Sequence, residues 1–501
     1  MDITTEVLIV GAGPAGLTAA LLLKRLGVAV ECVEKHPGIS SMPKARGIHA
    51  RAVEILRTLD VENNMRAAEL IIAPRFDMRA DLPSAPTREV TTGGAALTEV
   101  SPCEGIAISQ DVFEGVLRDR AAVVGVPLHL GTELLSYEVT DSGVKATLLD
   151  RTSGSTLTAT CRYVIGADGW RSRVRECMGA VPEGPDDLGS NRVVCFRADL
   201  TQWMPDPPPA MILLTATQGI LLRTHADHRW VMVWPLEEGD PGNALDRVRL
   251  SLGLPTLHPE VISDWLWTAA AQLTDRFADG PIFLVGDAAH RVPPAGATGI
   301  SSAMADTHNL TWKLAAMLQG WGGPGLLSSY ESERRPVAKV TTEATRELWR
   351  LRETPGSAAI DLRMLDMGYV YGSPDSLIDG LAGPYIPTAR AGSRAPHAWL
   401  DGGRGRSTLD LLGPGFAVLT TAAGRVWESA APTVAAQTGV PLSVSLLESQ
   451  AFADVYELSG GQAVLIRPDG HIASRLQAEE EPARAAEILT GALAEATGAR
   501  P

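Results

Sequence analysis

A short stretch near the amino terminus constrains this chain more than any other feature. The apolar run Glu6–Val10 (EVLIV) is followed at once by Gly11-Ala12-Gly13-Pro14-Ala15-Gly16. An Ala/Leu-rich stretch from Leu17 to Leu26 stops at Gly27, and a second apolar run, Val28–Val33, ends at Glu34. The runs read as buried parallel strands and the segment between them as a helix, which completes a βαβ unit. In that context the glycines have separate tasks. Gly11 permits the tight turn, Gly13 lets backbone approach a pyrophosphate, and Gly16 lets helix and strand pack closely. The helix N-terminus then offers free N–H groups and a positive dipole end to the anion. Glu34 stands where ribose hydroxyls would donate to it, and its charge would repel a 2′-phosphate. FAD or NAD is therefore expected, and NADP is not. The same glycine spacing recurs at Gly320, Gly322 and Gly325, but after a helix and with Pro324 inside it, so it reads there as a helix–helix loop.

The length of 501 residues suggests about three domains. Acidic residues outnumber basic ones by 59 to 44, a net charge of −15, which is unsuited to nonspecific nucleic-acid binding. The five cysteines (Cys32, Cys103, Cys161, Cys177, Cys195) form no C-x-x-C pair and read as buried free thiols in a reducing cytoplasm, with no metal site. No signal peptide and no membrane span is expected. Further along, Tyr163–Ile165 enters Gly166-Ala167-Asp168-Gly169, and Ile282–Val285 enters Gly286-Asp287. Each is a short buried strand ending in a turn with one carboxylate. In an open α/β sheet, ligands lie beyond such strand ends. Between residues 185 and 275, short strands such as Met211–Leu214, Ile220–Thr224 and Trp230–Pro235 alternate with turns and predict an inserted sheet.

Four segments together resemble the flavoprotein aromatic hydroxylases typified by p-hydroxybenzoate hydroxylase and phenol hydroxylase, the class A monooxygenases. They are residues 7–35, PKARGIHARAVEIL (43–56), VIGADGWRSRVRE (164–176) and IFLVGDAAHRVPPAGATGIS (282–301), supported by Gln110 and YESERRPVA (330–338). APHAWL (395–400), STLDLLGPGFAVLT (407–420) and VLIRPDGHIASR (464–475) look like the thioredoxin-like C-terminal domain of phenol and polyketide hydroxylases, here without its cysteine pair. The resemblance implies an α/β fold: a Rossmann-like FAD-binding domain (residues 1–75, 103–182 and 276–372), an inserted β-sheet substrate domain (76–102 and 183–275), a linker (373–394) and the thioredoxin-like domain (395–501).

It also implies noncovalent FAD, with NAD(P)H and O2 as co-substrates. Gly11, Gly13, Ala15 and Gly16 would face the pyrophosphate and Glu34 the adenosine ribose, and Lys35 is a further cofactor-binding candidate. Arg46 and Gln110 would lie on the flavin side, and Leu134 near adenine. Gly286 and Asp287 would hold the ribityl chain, and Pro294, Gly296, Gly299 and Ile300 would border the isoalloxazine. Asp168 and Arg175 belong to a motif used for both FAD and NAD(P)H. The family often has Asn where Ile300-Ser301 stand here. Hydroxylation of a phenolic or polycyclic aromatic through a flavin C4a-hydroperoxide follows from the resemblance; Baeyer–Villiger insertion or epoxidation on the same fold is the alternative. A flavin halogenase and a non-catalytic flavin sensor are more distant; Trp230–Pro235 does not match the halogenase tryptophan segment. The flavin carries the chemistry, so no protein nucleophile is required. Pro294 and Arg46 are the candidate catalytic contacts. His49, His225 and His228 are candidate general bases whose plainer reading is an ordinary hydrogen-bonded histidine, and His290 reads as structural. The protein is expected as a monomer or homodimer.

Overall fold

The parallel runs assemble into a six-stranded sheet. The computed structural model describes residues 2–40, 42, 44–91, 99–236, 242–351, 360–372, 383–403 and 405–499. The strand order is Ala278–Asp279, Ile282–Leu284, Tyr163–Gly166, Val7–Val10, Val30–Glu34, Leu128–Leu130, with every pairing parallel except that of the first. Val7, Leu8 and Ile9 are fully buried, as a strand covered on both faces requires. Helices Pro14–Arg25 and Gly299–Gln319 pack side by side on this sheet. Three strands then end at one edge, delivering Gly11, Ala167-Asp168 and Gly286-Asp287 to the same rim. A second sheet, built from Ile3–Thr4, Thr156–Cys161, Gly143–Asp150 and Thr132–Thr140, flanks it.

The inserted sheet has seven strands: Glu260–Thr268, Ser190–Arg197, Arg229–Pro235, Gly219–Arg223, Pro209–Leu214, Ala73–Arg79 and Arg88–Thr91. Its two faces differ. Ile212, Leu214, Leu221, Trp230, Met232 and Trp234 share a buried core with Val248 and Leu252 of helix Ala244–Leu252. Alternation along the strands predicts that their neighbours point the other way. Met78, Leu213, Ile220 and Val233 are paired in register and only half-buried, as are Phe76, Met211 and Leu222.

The last segment runs strand Phe416–Thr421, helix Arg425–Thr438, strand Leu442–Leu447, helix Gln450–Tyr456, strands Ala463–Ile466 and Ile472–Leu476, and helix Pro482–Ala496. The first two strands are parallel and the third is antiparallel to the first, which is the thioredoxin topology. All five cysteines are free and precede residue 196, so this domain has no redox pair. It shares a core with Trp312, Trp321 and Leu326. No helix among the described residues is long and apolar enough to cross a membrane, and no described group of three or more His, Cys, Asp or Glu could hold a metal. Residues 373–382 of the expected linker and 92–98 of the expected substrate segment lie outside the described residues.

Candidate active site

Gly11 sits at φ +106°, and a Cβ there would lie 2.3 Å from the Ala167 carbonyl oxygen. A Cβ on Gly16 would come within 1.8 Å of the Gly11 oxygen. Both glycines are therefore demanded by close backbone approach. Gly13 differs: a Cβ there would meet nothing within 4 Å, so the space before the helix is open. The first intrahelical bond runs from Leu17 N–H to the Gly13 oxygen at 2.9 Å, leaving the Ala15 and Gly16 N–H groups aimed into that space. Glu34 is already engaged: one oxygen accepts from Ala12 N–H and the other from His36 N–H, both at 2.9 Å. Its free lone pairs remain for a ribose. The Lys35 carbonyl accepts from Arg151 at 3.4 Å, and Leu134 is buried beside the sheet.

Asp168 is occupied by its own chain. It accepts from Ser172 Oγ at 2.5 Å, Arg173 N–H at 2.6 Å and Val174 N–H at 3.1 Å, so it caps helix Arg173–Met178. Arg175 ties that helix to the third motif by donating to the Ala288 carbonyl at 3.1 Å. Asp287 is the opposite case. Its residue is exposed, yet it accepts no hydrogen bond among the described residues. Crowding by surrounding protein raises its pKa, with His290, Arg291 and Lys44 pulling the other way. A group both accessible and poorly solvated lies in a concave wall. Gly286 beneath it has φ +59°, with a would-be Cβ 3.0 Å from Ala303.

The rim continues through Pro294, Gly296 (φ +86°) and Ala297 (φ +54°), closed by Ala297 N–H to the Pro294 carbonyl at 3.1 Å. Helix Gly299–Gln319 starts there, and its first intrahelical acceptor, the Thr298 carbonyl, is used by Ser302. The Gly299, Ile300 and Ser301 N–H groups have no intrahelical acceptor. Thr298 Oγ1 and Ser301 Oγ, both buried, also lack partners among the described residues. On the other side, Gln110 exchanges hydrogen bonds with Ala45 and donates to Glu114 at 2.8 Å, which fixes the segment carrying Arg46. Burial lowers the Arg46 guanidinium to about 10. It donates to the Arg223 carbonyl at 3.3 Å, reaching the inserted sheet.

Several groups were not singled out by motif spacing. Asp306, fully buried, accepts from Gly286 N–H at 3.1 Å and from Arg334 at 2.8 Å, and bonds His290 at 2.7 Å. It therefore braces the Gly286-Asp287 turn from behind, and His290 is structural. Its partners come from two segments, around Gly286–His290 and at Arg334, so no local spacing reveals it. His225 bonds Asp111 at 2.9 Å and Ser109 at 3.2 Å, pinning the sheet to the helix that Gln110 begins. Trp230 and Trp234 do not line the open face. Each indole N–H is tied on the core side, to the Ala198 carbonyl and Ser251 Oγ, because strand alternation turns them away from it.

An open helix N-terminus, a partnerless carboxylate and two orphaned hydroxyls along one rim fit an extended dinucleotide such as FAD. Fold and site define a flavoprotein. Residues 4–345 match the FAD binding domain family, and residues 388–499 match the aromatic-ring hydroxylase C-terminal family. The chain is 34% identical to 4-methyl-5-nitrocatechol 5-monooxygenase of a Burkholderia species, over 98% of this chain and 97% of that one. It is 34% identical to tetracenomycin A2 monooxygenase-dioxygenase of Streptomyces glaucescens, over 97% and 96%. Among solved structures, a ternary complex of aklavinone-11 hydroxylase with FAD and aklavinone superposes with a TM-score of 0.89 at 31% identity, covering 99% of this chain and all of the other. The chain belongs to the FAD-dependent aromatic hydroxylases and is a flavin-dependent monooxygenase.

Proposed function

We propose that this enzyme hydroxylates a phenolic or polycyclic aromatic compound of natural-product type, as a single-component monooxygenase consuming NAD(P)H and O2. The observation that carries the reading is the half-buried apolar face of the inserted sheet. Phe76, Met78, Met211, Leu213, Ile220, Leu222 and Val233 share this face, apolar and half-buried. Such a surface suits a planar ring system, and relatives named for catechol and polyketide oxidation support that class. The expected division into FAD, sheet and thioredoxin-like domains is part of the proposal, as are the cytoplasmic location and the monomeric or homodimeric state.

When bound, FAD would supply the redox chemistry, hydride acceptance and activation of O2. The chain's own residues do the rest. Ala15 and Gly16 N–H groups bind the pyrophosphate, and Asp287 accepts from the ribityl hydroxyls. The N–H groups of residues 299–301, at the positive end of a 21-residue helix, would favour negative charge on the bound flavin. The apolar sheet excludes water above it. At the mouth, exposed Trp170 lies between two guanidinium groups, Arg171 at 4.2 Å and Arg291 at 4.7 Å from its ring centre, a surface suited to a nucleotide reductant.

The test is turnover under labelled O2 with NADH or NADPH and a panel of phenols and aromatic polyketides, read by mass spectrometry. One labelled oxygen in a ring-hydroxylated product is expected. NAD(P)H oxidation that never labels any aromatic in the panel would overturn the proposal.

A further inference from the structure

His49 and Asp366, 317 residues apart in the chain, meet beside the cradle through a short hydrogen bond between His49 Nδ1 and an Asp366 carboxylate oxygen. Resting on the phenolic reading above, we propose that His49 is the general base that takes the substrate's hydroxyl proton, with Asp366 as its positioning partner.

Three observations support the assignment. The first is position. His49 is the N-cap of helix Ala50–Arg57, three residues beyond Arg46, whose guanidinium spans to the inserted sheet at Arg223. Asp366 ends helix Leu362–Asp366, and Leu362 at its other end lies 2.8 Å from where a Cβ on Gly296 would sit. This short helix therefore bridges the Pro294–Gly296 rim, expected to border the flavin ring, and the start of the His49 helix, three residues after Arg46. The second is access. The Asp366 side chain is 5% exposed, whereas that of His49 is 25% exposed. His49 Nε2 has no hydrogen-bond partner among the described residues and is not among the buried partnerless atoms. Among the described residues Nδ1 is held and Nε2 has no partner. The third is chemistry. A carboxylate accepting from Nδ1–H fixes the tautomer in which Nε2 is the acceptor, and it stabilises the imidazolium once a proton arrives.

The step is a proton transfer without redox change. The phenol O–H bond breaks, its electron pair stays on oxygen, and the N–H bond forms at His49 Nε2. The resulting phenolate ring is a stronger nucleophile toward an electrophilic oxygen. The proton later leaves to solvent or returns to a hydroxyl of the product.

Burial disfavours charge on His49, and the charge and hydrogen bond of Asp366 outweigh it, so the net shift of its pKa is upward. The other charged groups nearby are otherwise engaged. Arg46 reaches the Arg223 carbonyl, Arg363 on the Asp366 helix is paired with Asp361 at 2.6 Å, and the Tyr385 hydroxyl accepts from Arg394 at 3.4 Å. A base must be deprotonated to act, so activity should rise with pH through the His49 pKa.

The experiment uses the FAD-loaded enzyme. In carbon-13 histidine-labelled holoenzyme, the His49 signal is assigned by its loss in His49→Gln. It should titrate above the ordinary histidine range and fall by one pH unit or more in Asp366→Asn. With a phenol turned over by the wild type, His49→Gln should lower kcat by about 10²–10⁴-fold and abolish the ascending pH limb, with little change in KM. Asp366→Asn should shift that limb to lower pH. Flavin absorbance and melting temperature confirm that both variants stay folded and loaded. An unchanged limb in His49→Gln, or a His49 that titrates normally and ignores Asp366→Asn, would overturn the proposal. If the wild type turns over no phenol, the functional reading fails on its own, and the dyad is judged by the titration.

Discussion

Among the glycines of the fingerprint, two are structural and one is kept for the ligand. Gly16→Ala places a Cβ 1.8 Å from the Gly11 oxygen and should prevent soluble expression or strongly lower the melting temperature. In Gly13→Val the new Cβ would meet nothing within 4 Å, and the position has φ −81°. The variant should fold and melt like the wild-type apoprotein yet purify colourless. A yellow, active Gly13→Val protein would contradict the pyrophosphate assignment. Asp287 extends the argument. Its pKa is raised in the folded apoprotein, so its charge opposes folding at pH values above both its folded and unfolded pKa. Asp287→Asn should therefore leave the apoprotein as stable or slightly more stable at neutral pH, while weakening FAD binding in a fluorescence titration. These glycines and carboxylates were legible in the sequence because each acts within a few residues of its strand end. Asp306 and Asp366 were not, because their partners are brought to them by tertiary packing. The same reason separates His49 from the other histidines: its own sequence neighbourhood says nothing of Asp366.

At the scale of elements, the inserted sheet shows where pattern reading stops. The strands around Met211, Ile220 and Trp230 were legible from alternating apolar residues between turns, and the helix from Gln110 to Val123 from its periodicity. Which face of the sheet is open was not legible, because both faces carry large apolar residues. Helix Ala244–Leu252, packed over Trp234 and Met232, covers one of them. This yields a paired prediction. Trp234→Ala removes a fully buried indole hydrogen-bonded to Ser251 and should cost about 3–5 kcal/mol in chemical denaturation. Leu213→Gln, on the half-buried face, should cost about 1 kcal/mol or less and appear instead as a raised KM for an aromatic substrate. Equal destabilisation by the two would mean that both faces are core.

Across the whole molecule, the thioredoxin-like domain is joined to the flavin domain by buried charge as well as by a shared aromatic core. Arg467 grips Glu333 with two hydrogen bonds, at 2.6 and 2.9 Å, and also holds Asp469; Lys313 reaches Glu333 at 2.8 Å. On a second seam, Arg394 pairs with Glu54 and Arg51 donates to the Asp469 carbonyl at 3.0 Å, both on the helix that His49 caps. The cysteine-free carboxyl-terminal part of the chain thus holds the helix that carries the proposed base. The members of the cluster are not equivalent. Despite burial, Arg467 and then Lys313 hold the Glu333 carboxyl at about 2, so its contribution is present above the unfolded carboxyl pKa and is lost as pH falls toward 2. Burial lowers Lys313 to about 8, so below that pH its protonation is a cost that folding carries. Lys313→Met should then be neutral or stabilising at pH 7, because Arg467 still satisfies Glu333. Arg467→Met removes the guanidinium that two buried carboxylates share, leaving Asp469 without its cation, and should cost about 3–5 kcal/mol. Its loss should shrink as pH is lowered and those carboxyls protonate. Melts of both variants across pH read the difference, and equal effects would mean that the seam is held by its apolar core alone.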